Sequence, residues 1–253
     1  MKLHPRKLAR ILRRHTLGFE SREFRKLHDR FAGKLGLEIG GPSLVFRRGD
    51  RLPVYPLARR IDGVNFAAET VWEGKIAEGM NYRYGRTKRG FQHISEGTKL
   101  RNIGDAAYDF VLSSHSLEHS ANALRAVLEW KRVLKPGGVL LVIVPNKDVT
   151  FDHRRAVTPF RHLVDDFEGN VDEDDLTHLD EIFAAHDLSR DPLAGTPEQF
   201  RSRSLKNFQN RCLHHHVFDA ALIREVFRYS ALDPLYEGAA DEHIIILGEK
   251  RVH

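Results

Sequence analysis

The chain has 253 residues, 41% of them hydrophobic, and a formal net charge of +5 at pH 7. It is long enough to bury a substantial core, and no apolar run approaches the roughly 20 residues that a membrane-spanning helix needs. The basic N-terminus lacks the apolar stretch of a signal peptide, and the single cysteine, Cys212, excludes an intrachain disulfide framework. We therefore expect a cytoplasmic globular protein.

The positive charge is concentrated in residues 1–30, which hold ten Lys/Arg against three Asp/Glu. The remaining residues together carry a slightly negative charge. Leucine, isoleucine and phenylalanine recur in this N-terminal arm at roughly helical spacing. The pattern predicts a basic amphipathic helix packed on the core, and contact with RNA or with an anionic membrane surface is the alternative.

From about residue 34, short apolar runs alternate with longer amphipathic stretches, which is typical of βαβ units with a parallel sheet. Asn122–Leu134 has apolar residues at helical spacing, and the Lys-Pro-Gly-Gly turn at residues 135–138 ends that helix. Residues 217–229 predict a further helix and Glu242–Glu249 a further strand, with an antiparallel hairpin at the end. The other predicted strands are Leu35–Ile39, Arg59–Asp62, Phe91–Ile94, Phe110–Ser113 and Val139–Val144.

Residues 146–215 do not fit this alternation. Between Pro145 and Asp187 the chain has twelve Asp/Glu and four His. A long insertion after a core strand is usually functional, so we expect a substrate-binding cap over the active site. The predicted organisation is an N-terminal arm (1–30), a Rossmann-like core (31–145 and 216–253) and a cap insertion (146–215).

A glycine-containing turn, Glu38 to Ser43, follows the first predicted strand. Glycines at the carboxyl end of a strand let a ligand approach the backbone, and doubly wound sheets bind nucleotide-like ligands there. Alone, such glycines are often only turn residues. Asp62 ends the second predicted strand, where an acid can accept both hydroxyls of a ribose. Together they predict an adenosyl-binding site.

The stretch from Tyr108 to Asp152, with its Leu-Glu-His triplet and Leu-Lys-Pro-Gly-Gly turn, resembles class I S-adenosylmethionine-dependent methyltransferases of the type 11 branch. The resemblance covers roughly residues 34–150 and implies a doubly wound Rossmann-like α/β fold with S-adenosyl-L-methionine as cofactor. Pro42 stands where the family usually has glycine, so that loop must contact the ligand through other atoms. The cofactor-binding residues that the resemblance implies are Glu38, Gly40 and Gly41 at the methionine portion, Asp62 at the ribose, Glu96 and Gly97 at the adenine, and Ser113 and His115 on the methionine side.

Methyl transfer to oxygen benefits from a general base, and histidine suits that role at neutral pH. His119, in the Leu-Glu-His triplet, and His153, beyond the fifth strand, both follow carboxyl ends of core strands. They are the candidate catalytic residues. A role of His119 in shaping the pocket is the alternative, because the triplet occurs in relatives with different acceptors.

Two further patterns concern metals. Neighbouring side chains point in different directions, so His214-His215-His216 is interpreted as a hinge and not as a metal cluster. Asp165-Asp166 and Asp172–Asp175 could hold Mg²⁺ through oxygen ligands, with solvated acidic surface as the alternative. The sequence leaves the presence of a metal undecided.

The cap offers hydrogen-bonding side chains in place of an aromatic lining, which favours a polyhydroxylated acceptor such as a sugar or oligosaccharide. We therefore expect an O-methyltransferase with a histidine base acting on such a small molecule. One alternative is an RNA methyltransferase that uses the arm, against which the slightly acidic core and cap argue. The other is a non-catalytic cofactor-binding scaffold, against which the retained Glu38, Asp62 and His119 argue. No oligomeric state follows from the sequence.

Overall fold

The computed structural model describes residues 21–252, of which eight strands form one sheet and two form a separate hairpin. The order in the large sheet is β5-β6-β2-β1-β7-β8-β10-β9. The strands are β1 (Leu35–Ile39), β2 (Arg60–Asn65), β3 (Glu69–Thr70), β4 (Gly74–Lys75), β5 (Gly79–Arg83), β6 (Arg89–Ile94), β7 (Tyr108–Ser114), β8 (Leu134–Pro145), β9 (Leu232–Ala240) and β10 (His243–Lys250).

Five central strands run parallel, because β1 pairs with β2 and β7, β2 with β6, and β7 with β8. β5 joins β6 antiparallel at one edge, and β10 and β9 are antiparallel at the other. Strands covered on both faces need continuous apolar runs, and β8 is buried from Gly138 to Pro145. The predicted Rossmann-like α/β fold with a terminal antiparallel hairpin is confirmed.

Both predicted helices are present and begin at side-chain caps. Asn122 accepts a hydrogen bond from the Arg125 amide, and Asp219 accepts one from the Leu222 amide. Both helices bury an apolar stripe against one face of the sheet. The helices of the described chain are α1 (Arg22–Arg25), α2 (Val54–Leu57), α3 (Ala123–Val133), α4 (Phe160–Glu168), α5 (Leu179–Ala185), α6 (Pro197–Ser204), α7 (Asn207–Asn210) and α8 (Ala220–Tyr229).

The other face of the sheet is covered by residues 24–58 and includes the buried rings of Phe24 and Phe31. The Phe24 ring lies 5.9 Å from that of Tyr236 in β9, and Arg30 forms an ion pair of 2.5 Å with Glu249 in β10. The described end of the predicted arm therefore packs on the core. The prediction for residues 1–20 lies outside the described residues.

One strand prediction has the wrong bounds, and one strand of the large sheet was not predicted. β2 continues to Asn65, since Gly63 and Val64 interrupt neither its pairing with β1 nor its pairing with β6. Asp62 is therefore inside the strand and not at its end. The sequence does not predict β5, because this edge strand is mostly exposed and lacks an apolar alternation. The chain between β2 and β6 contains β5 and the β3–β4 hairpin where a doubly wound fold usually has a crossover helix.

The segment predicted as a cap has two parts. Helix α4 packs into the main core through Leu163. The following chain, with α5 to α7, has a small apolar cluster of its own, formed by Ile182, Ala194, Phe200 and Leu213. In the part of the chain that the structure describes, no helix is both long and apolar enough to cross a bilayer.

Candidate active site

A cleft of about 1000 Å³ lies at the carboxyl edge of the parallel strands, where open α/β sheets bind their ligands. One side is formed by loops that leave the sheet, and the other by the cap and by Trp72 in the β3–β4 turn. The loops contribute Gly40, Asn65, Glu96, Gly97, His115 and His119, and the cap segment contributes Phe151, Asp191, Arg203, Arg211 and His214.

The turn after β1 depends on glycine at two positions. Gly40 has a φ of 73°, in the left-handed region that favours glycine. A Cβ at Gly40 would overlap the hydroxyl of Ser116, which donates a hydrogen bond of 3.1 Å to the Ile39 carbonyl. Gly41 lies behind the cleft wall, where a Cβ would overlap the Glu38 carboxylate. At both positions glycine is required because a side chain would overlap neighbouring protein atoms.

Glu38 supports this turn from beneath and does not line the cleft. Its carboxylate is fully buried and accepts hydrogen bonds from the Tyr55 hydroxyl (2.7 Å), the Tyr82 hydroxyl (2.6 Å) and the Ser43 amide (2.9 Å). Burial raises the pKa of Glu38, and these hydrogen bonds oppose that rise. The structure therefore places Glu38 as a support for the turn.

The structure also places Asp62 away from the cleft. Its side chain is 2% exposed and accepts hydrogen bonds from the Phe91 amide (2.8 Å) and the Tyr108 hydroxyl (3.1 Å), with Arg60 as its ion-pair partner. The residue at the carboxyl end of β2 is Asn65, which lines the cleft and donates to the Gly41 carbonyl. A polar residue at the end of β2 is present, but three positions after the predicted one.

Glu96 and Gly97 lie in the loop after β6, beyond Ser95, and line the cleft. The Glu96 carboxylate accepts a hydrogen bond of 2.9 Å from Arg211, which comes from the cap and also pairs with Glu173. The Gly97 carbonyl accepts a hydrogen bond of 3.0 Å from the Trp130 indole. At this corner of the cleft the partly exposed Glu96 carboxylate therefore connects the core to the cap through Arg211.

The two residues predicted at the end of β7 differ in position. Ser113 is fully buried within the strand and does not line the cleft. His115 lines the cleft, has a left-handed φ of 52°, and lies 2.8 Å from His243, measured between ring nitrogens. Burial, together with the neighbouring His243 and His214, lowers the pKa of His115 to about 3, so the ring is neutral at physiological pH.

A polar cluster, defined here as Glu118, His119, His214 and Asp152, lies where the cap meets the loop after β7. His119 Nδ1 is 2.9 Å from the Leu213 carbonyl oxygen, and His214 Nδ1 is 2.5 Å from Asp152. The rings of His119 and His214 are 4.6 Å apart. Both Glu118 oxygens are buried and have no hydrogen-bond partner among the described residues.

The cluster has unusual proton affinities. Burial raises the pKa of Glu118 to about 7. Burial and the neighbouring His214 hold the pKa of His119 well below its usual value. For His214, burial is outweighed by the charge and hydrogen bond of Asp152, so its pKa is raised. Perturbed titratable groups gathered in a cleft are typical of sites that bind or transfer protons.

The second predicted catalytic histidine does not join this cluster. His153 Nε2 is 2.8 Å from Asp187, and His153 does not line the cleft. The acidic residues proposed for Mg²⁺ are also dispersed, because Asp165 pairs with Arg161 and Asp172 with Lys99. Each candidate metal group among residues 21–252 includes histidine, so no all-oxygen site is formed there.

The segment His214-His215-His216 is extended and buried. His214 contacts Asp152, His215 contacts Asn207, and His216 contacts Asp166. These contacts hold the segment in place, which does not fit the predicted hinge.

Residues 62–142 match the family model described as a methyltransferase domain. This segment runs from β2 into β8 and contains the Glu96–Gly97 corner, the loop after β7 and His119. The parallel sheet with its terminal antiparallel pair agrees with that match. Residues 62–142 therefore carry a methyltransferase domain. No curated protein matches the chain in sequence.

Several solved structures are similar to this chain. An S-adenosylmethionine-dependent methyltransferase from Aquifex aeolicus is 14% identical, with 98% of this chain and 99% of that chain covered and a TM-score of 0.48. A possible histamine N-methyltransferase from Thermotoga maritima is 16% identical, with 90% and 88% covered and a TM-score of 0.45. A Burkholderia thailandensis 1,6-didemethyltoxoflavin-N1-methyltransferase, solved with S-adenosylhomocysteine, is 13% identical, with 100% and 92% covered and a TM-score of 0.46.

Sequence reasoning missed several contacts and residues of the cleft and of the polar cluster. His214 and its partner Asp152 are 62 positions apart, so no local spacing signals their contact. The Leu-Glu-His triplet contains Glu118 directly before His119, so this motif could have identified Glu118 as a site residue. A prediction in which β2 continues through Gly63 would have placed Asn65 at the carboxyl end of the strand.

Proposed function

We propose that this methyltransferase methylates a hydroxyl group of a sugar, oligosaccharide or similar polyhydroxylated metabolite, with His119 as the general base. The observation that carries the proposal is the 2.9 Å hydrogen bond from His119 Nδ1 to the Leu213 carbonyl. A carbonyl oxygen only accepts, so Nδ1 holds the proton and Nε2 keeps its lone pair. That tautomer can accept a proton from an acceptor hydroxyl.

The surroundings of His119 suit this role. Its depressed pKa keeps the ring neutral at physiological pH, so the base is available without prior deprotonation. A buried imidazolium is costly unless charge compensates it. The charge of Asp152 offsets part of that cost for His119.

S-adenosylmethionine, when bound, supplies an electrophilic sulfonium methyl group. Gly40 would face the methionine portion, Asn65 the ribose, and Glu96 with Gly97 the adenine. We propose Asn65 for the ribose position because it ends β2 and lines the cleft, whereas the Asp62 carboxylate is occupied by Phe91, Tyr108 and Arg60. His115 lies on the same loop as His119 and would bound the methionine side.

The acceptor side of the cleft supports a hydroxylated substrate. Trp72 is 53% exposed, and its ring lies 5.5 Å from that of His119. Charged side chains of the cap, among them Asp191 and Arg203, line the same region. An exposed aromatic face beside hydrogen-bonding groups suits a sugar, which presents C–H groups on one side and hydroxyls at its edge.

The test is transfer of labelled methyl groups to a panel of saccharides by wild type, His119→Ala and His153→Ala. We expect His119→Ala to lower turnover by about 10²–10⁴ while the dissociation constant for S-adenosylmethionine, measured by calorimetry, barely changes. His153→Ala is the matched control, because it removes a cap histidine that does not line the cleft. Loss of turnover in His153→Ala alone would overturn the base assignment, and methylation of amines but no saccharide would overturn the acceptor class.

A further inference from the structure

A second group of ligating side chains lies outside the cleft, on the cap side of the core. It consists of His162, Asp166, His178 and His216, each of which offers one nitrogen or oxygen atom, and all four atoms lie within 4.8 Å of one another. His162 and Asp166 are one turn apart on α4, which places them on the same helix face. His178 immediately precedes α5, and His216 lies in the extended segment before α8. None of the four lines the cleft.

Three of the six separations within this group lie at or somewhat below the edge length of a tetrahedral zinc site. His162 Nε2 is 3.3 Å from His178 Nε2 and 3.5 Å from Asp166 Oδ2, and His216 Nε2 is 3.0 Å from Asp166 Oδ2. Zinc bonds of about 2.0–2.2 Å to nitrogen and oxygen give tetrahedral edges of about 3.3–3.5 Å. We propose that these four residues form a tetrahedral site for a divalent transition metal, with zinc as the best fit to three imidazoles and one carboxylate.

The surroundings fit a structural metal. The His216 side chain is fully buried, those of Asp166 and His178 are 11% exposed, and that of His162 is 38% exposed. Three of the four ligands are therefore buried. Solvent reaches the site at the fourth ligand, His162. His178 Nδ1 lies 4.0 Å from the Glu181 carboxylate, so a negative charge is close to the ligand that a metal would bind. Four protein ligands leave no open position, which is typical of structural zinc sites.

The position of the site explains what the metal would do. It joins α4, which belongs to the main core, to the start of α5 and to the segment that runs into α8. His214, two residues before His216, lines the cleft. Binding of the metal would thus fix the cap segment and the acceptor side of the cleft, while the loops at the carboxyl ends of β1, β2 and β6 do not depend on it.

The experiment is metal analysis of the purified full-length protein, followed by saturation with Zn²⁺ and dialysis. We expect about one equivalent of tightly held zinc in wild type, a melting temperature that falls with a chelator, and recovery with Zn²⁺ but not with Mg²⁺. His162→Ala should lose the bound metal. It removes the most exposed ligand, so it is the variant best tolerated by the fold. His153→Ala, a cap histidine outside the group, should keep the metal.

A second measurement covers the case in which His162→Ala does not fold. Co²⁺-substituted wild type should show the intense visible absorption of a tetrahedral ion, and His162→Cys, which keeps a ligand at that position, should bind the metal with a sulfur-to-metal charge-transfer band. Wild type that retains no zinc after dialysis would overturn the proposal. Equal zinc in His162→Ala and wild type would also overturn it.

Discussion

Two buried glutamates lie near the cleft, and their surroundings are opposite. Beneath the turn after β1, the Glu38 carboxylate receives hydrogen bonds from Tyr55, Tyr82 and Ser43. In the loop after β7, neither Glu118 oxygen has a hydrogen-bond partner among residues 21–252. A complete buried network fixes a shape, whereas an incomplete one costs stability and persists where a ligand or a proton completes it. The turn after β1 therefore has a rigid support, whereas the loop after β7 carries a carboxyl group whose hydrogen bonds are incomplete.

The largest expected effect on stability is that of Glu118→Gln. Burial raises the pKa of Glu118 to about 7, above its value of 4.5 in an unfolded chain. The folded state therefore binds the proton more tightly, and wild-type stability should fall as the pH rises from about 5 to 8, by about 3 kcal/mol. Glutamine cannot ionise, so the variant should lack this fall and be more stable than wild type at pH 8.

Urea denaturation at pH 5 and pH 8 measures this difference. His115, His214 and Asp152 also face Glu118, so the Gln variant, and not the wild-type profile alone, isolates its contribution. An equal change in unfolding free energy between pH 5 and pH 8 in wild type and variant would contradict this prediction. Glu118 would then have a hydrogen-bond partner in solution, and its surroundings would not differ from those of Glu38 in this respect.

Glu38→Gln should act in the opposite direction. The amide replaces one accepting oxygen by a donor, so at least one of Tyr55, Tyr82 and Ser43 loses its acceptor in a buried place. We expect a loss of about 1–3 kcal/mol of unfolding free energy. The same urea experiment measures it, with Glu118→Gln as the matched control. A neutral result would mean that the three donors have other acceptors.

The smallest expected effect is on the binding of S-adenosylmethionine, and it distinguishes Asn65 from Asp62 as the ribose contact. If Asn65 contacts the ribose, Asn65→Ala should weaken binding of S-adenosylmethionine by roughly 3–10-fold, the value of about one hydrogen bond. Asp62→Asn should leave the dissociation constant unchanged and lower only the melting temperature, because Asp62 bonds within the core. Calorimetry measures the dissociation constant for S-adenosylmethionine in both variants. If Asp62→Asn binds it more weakly than wild type and Asn65→Ala binds it normally, the sequence-based assignment of Asp62 to the ribose is restored.

Much of the core could be predicted because its signals are local. β1 has the predicted bounds, and the strands predicted at Phe91–Ile94, Phe110–Ser113 and Val139–Val144 lie inside β6, β7 and β8. Buried parallel strands need uninterrupted apolar runs, which a sequence displays directly. β5 could not be predicted, because an exposed edge strand forms by pairing with β6 and carries no pattern of its own.

The sequence predicted only those site residues whose position is determined by the strand that precedes them. Gly40 and Glu96 follow strands, so their place at the carboxyl edge follows from topology. The contacts of His119 with Leu213 and of His214 with Asp152 join segments that are 94 and 62 residues apart. Tertiary packing alone determines such pairs, and for this reason His153 looked as suitable a base as His119. The Asp62 assignment failed for a local reason, since Gly63 and Val64 extend β2.

The contact between the N-terminal segment and the last strands also affects biosynthesis. Arg30 and its partner Glu249 are separated by 219 residues, and the Phe24 ring packs against Tyr236 of the preceding strand. At translation rates of about 5–20 residues per second, the ribosome needs roughly 10–40 s between making the two partners. During that interval the aromatic face of Phe24 and Phe31 has no completed sheet to cover it. A nascent chain of this protein should therefore depend on chaperones until β10 has left the exit tunnel.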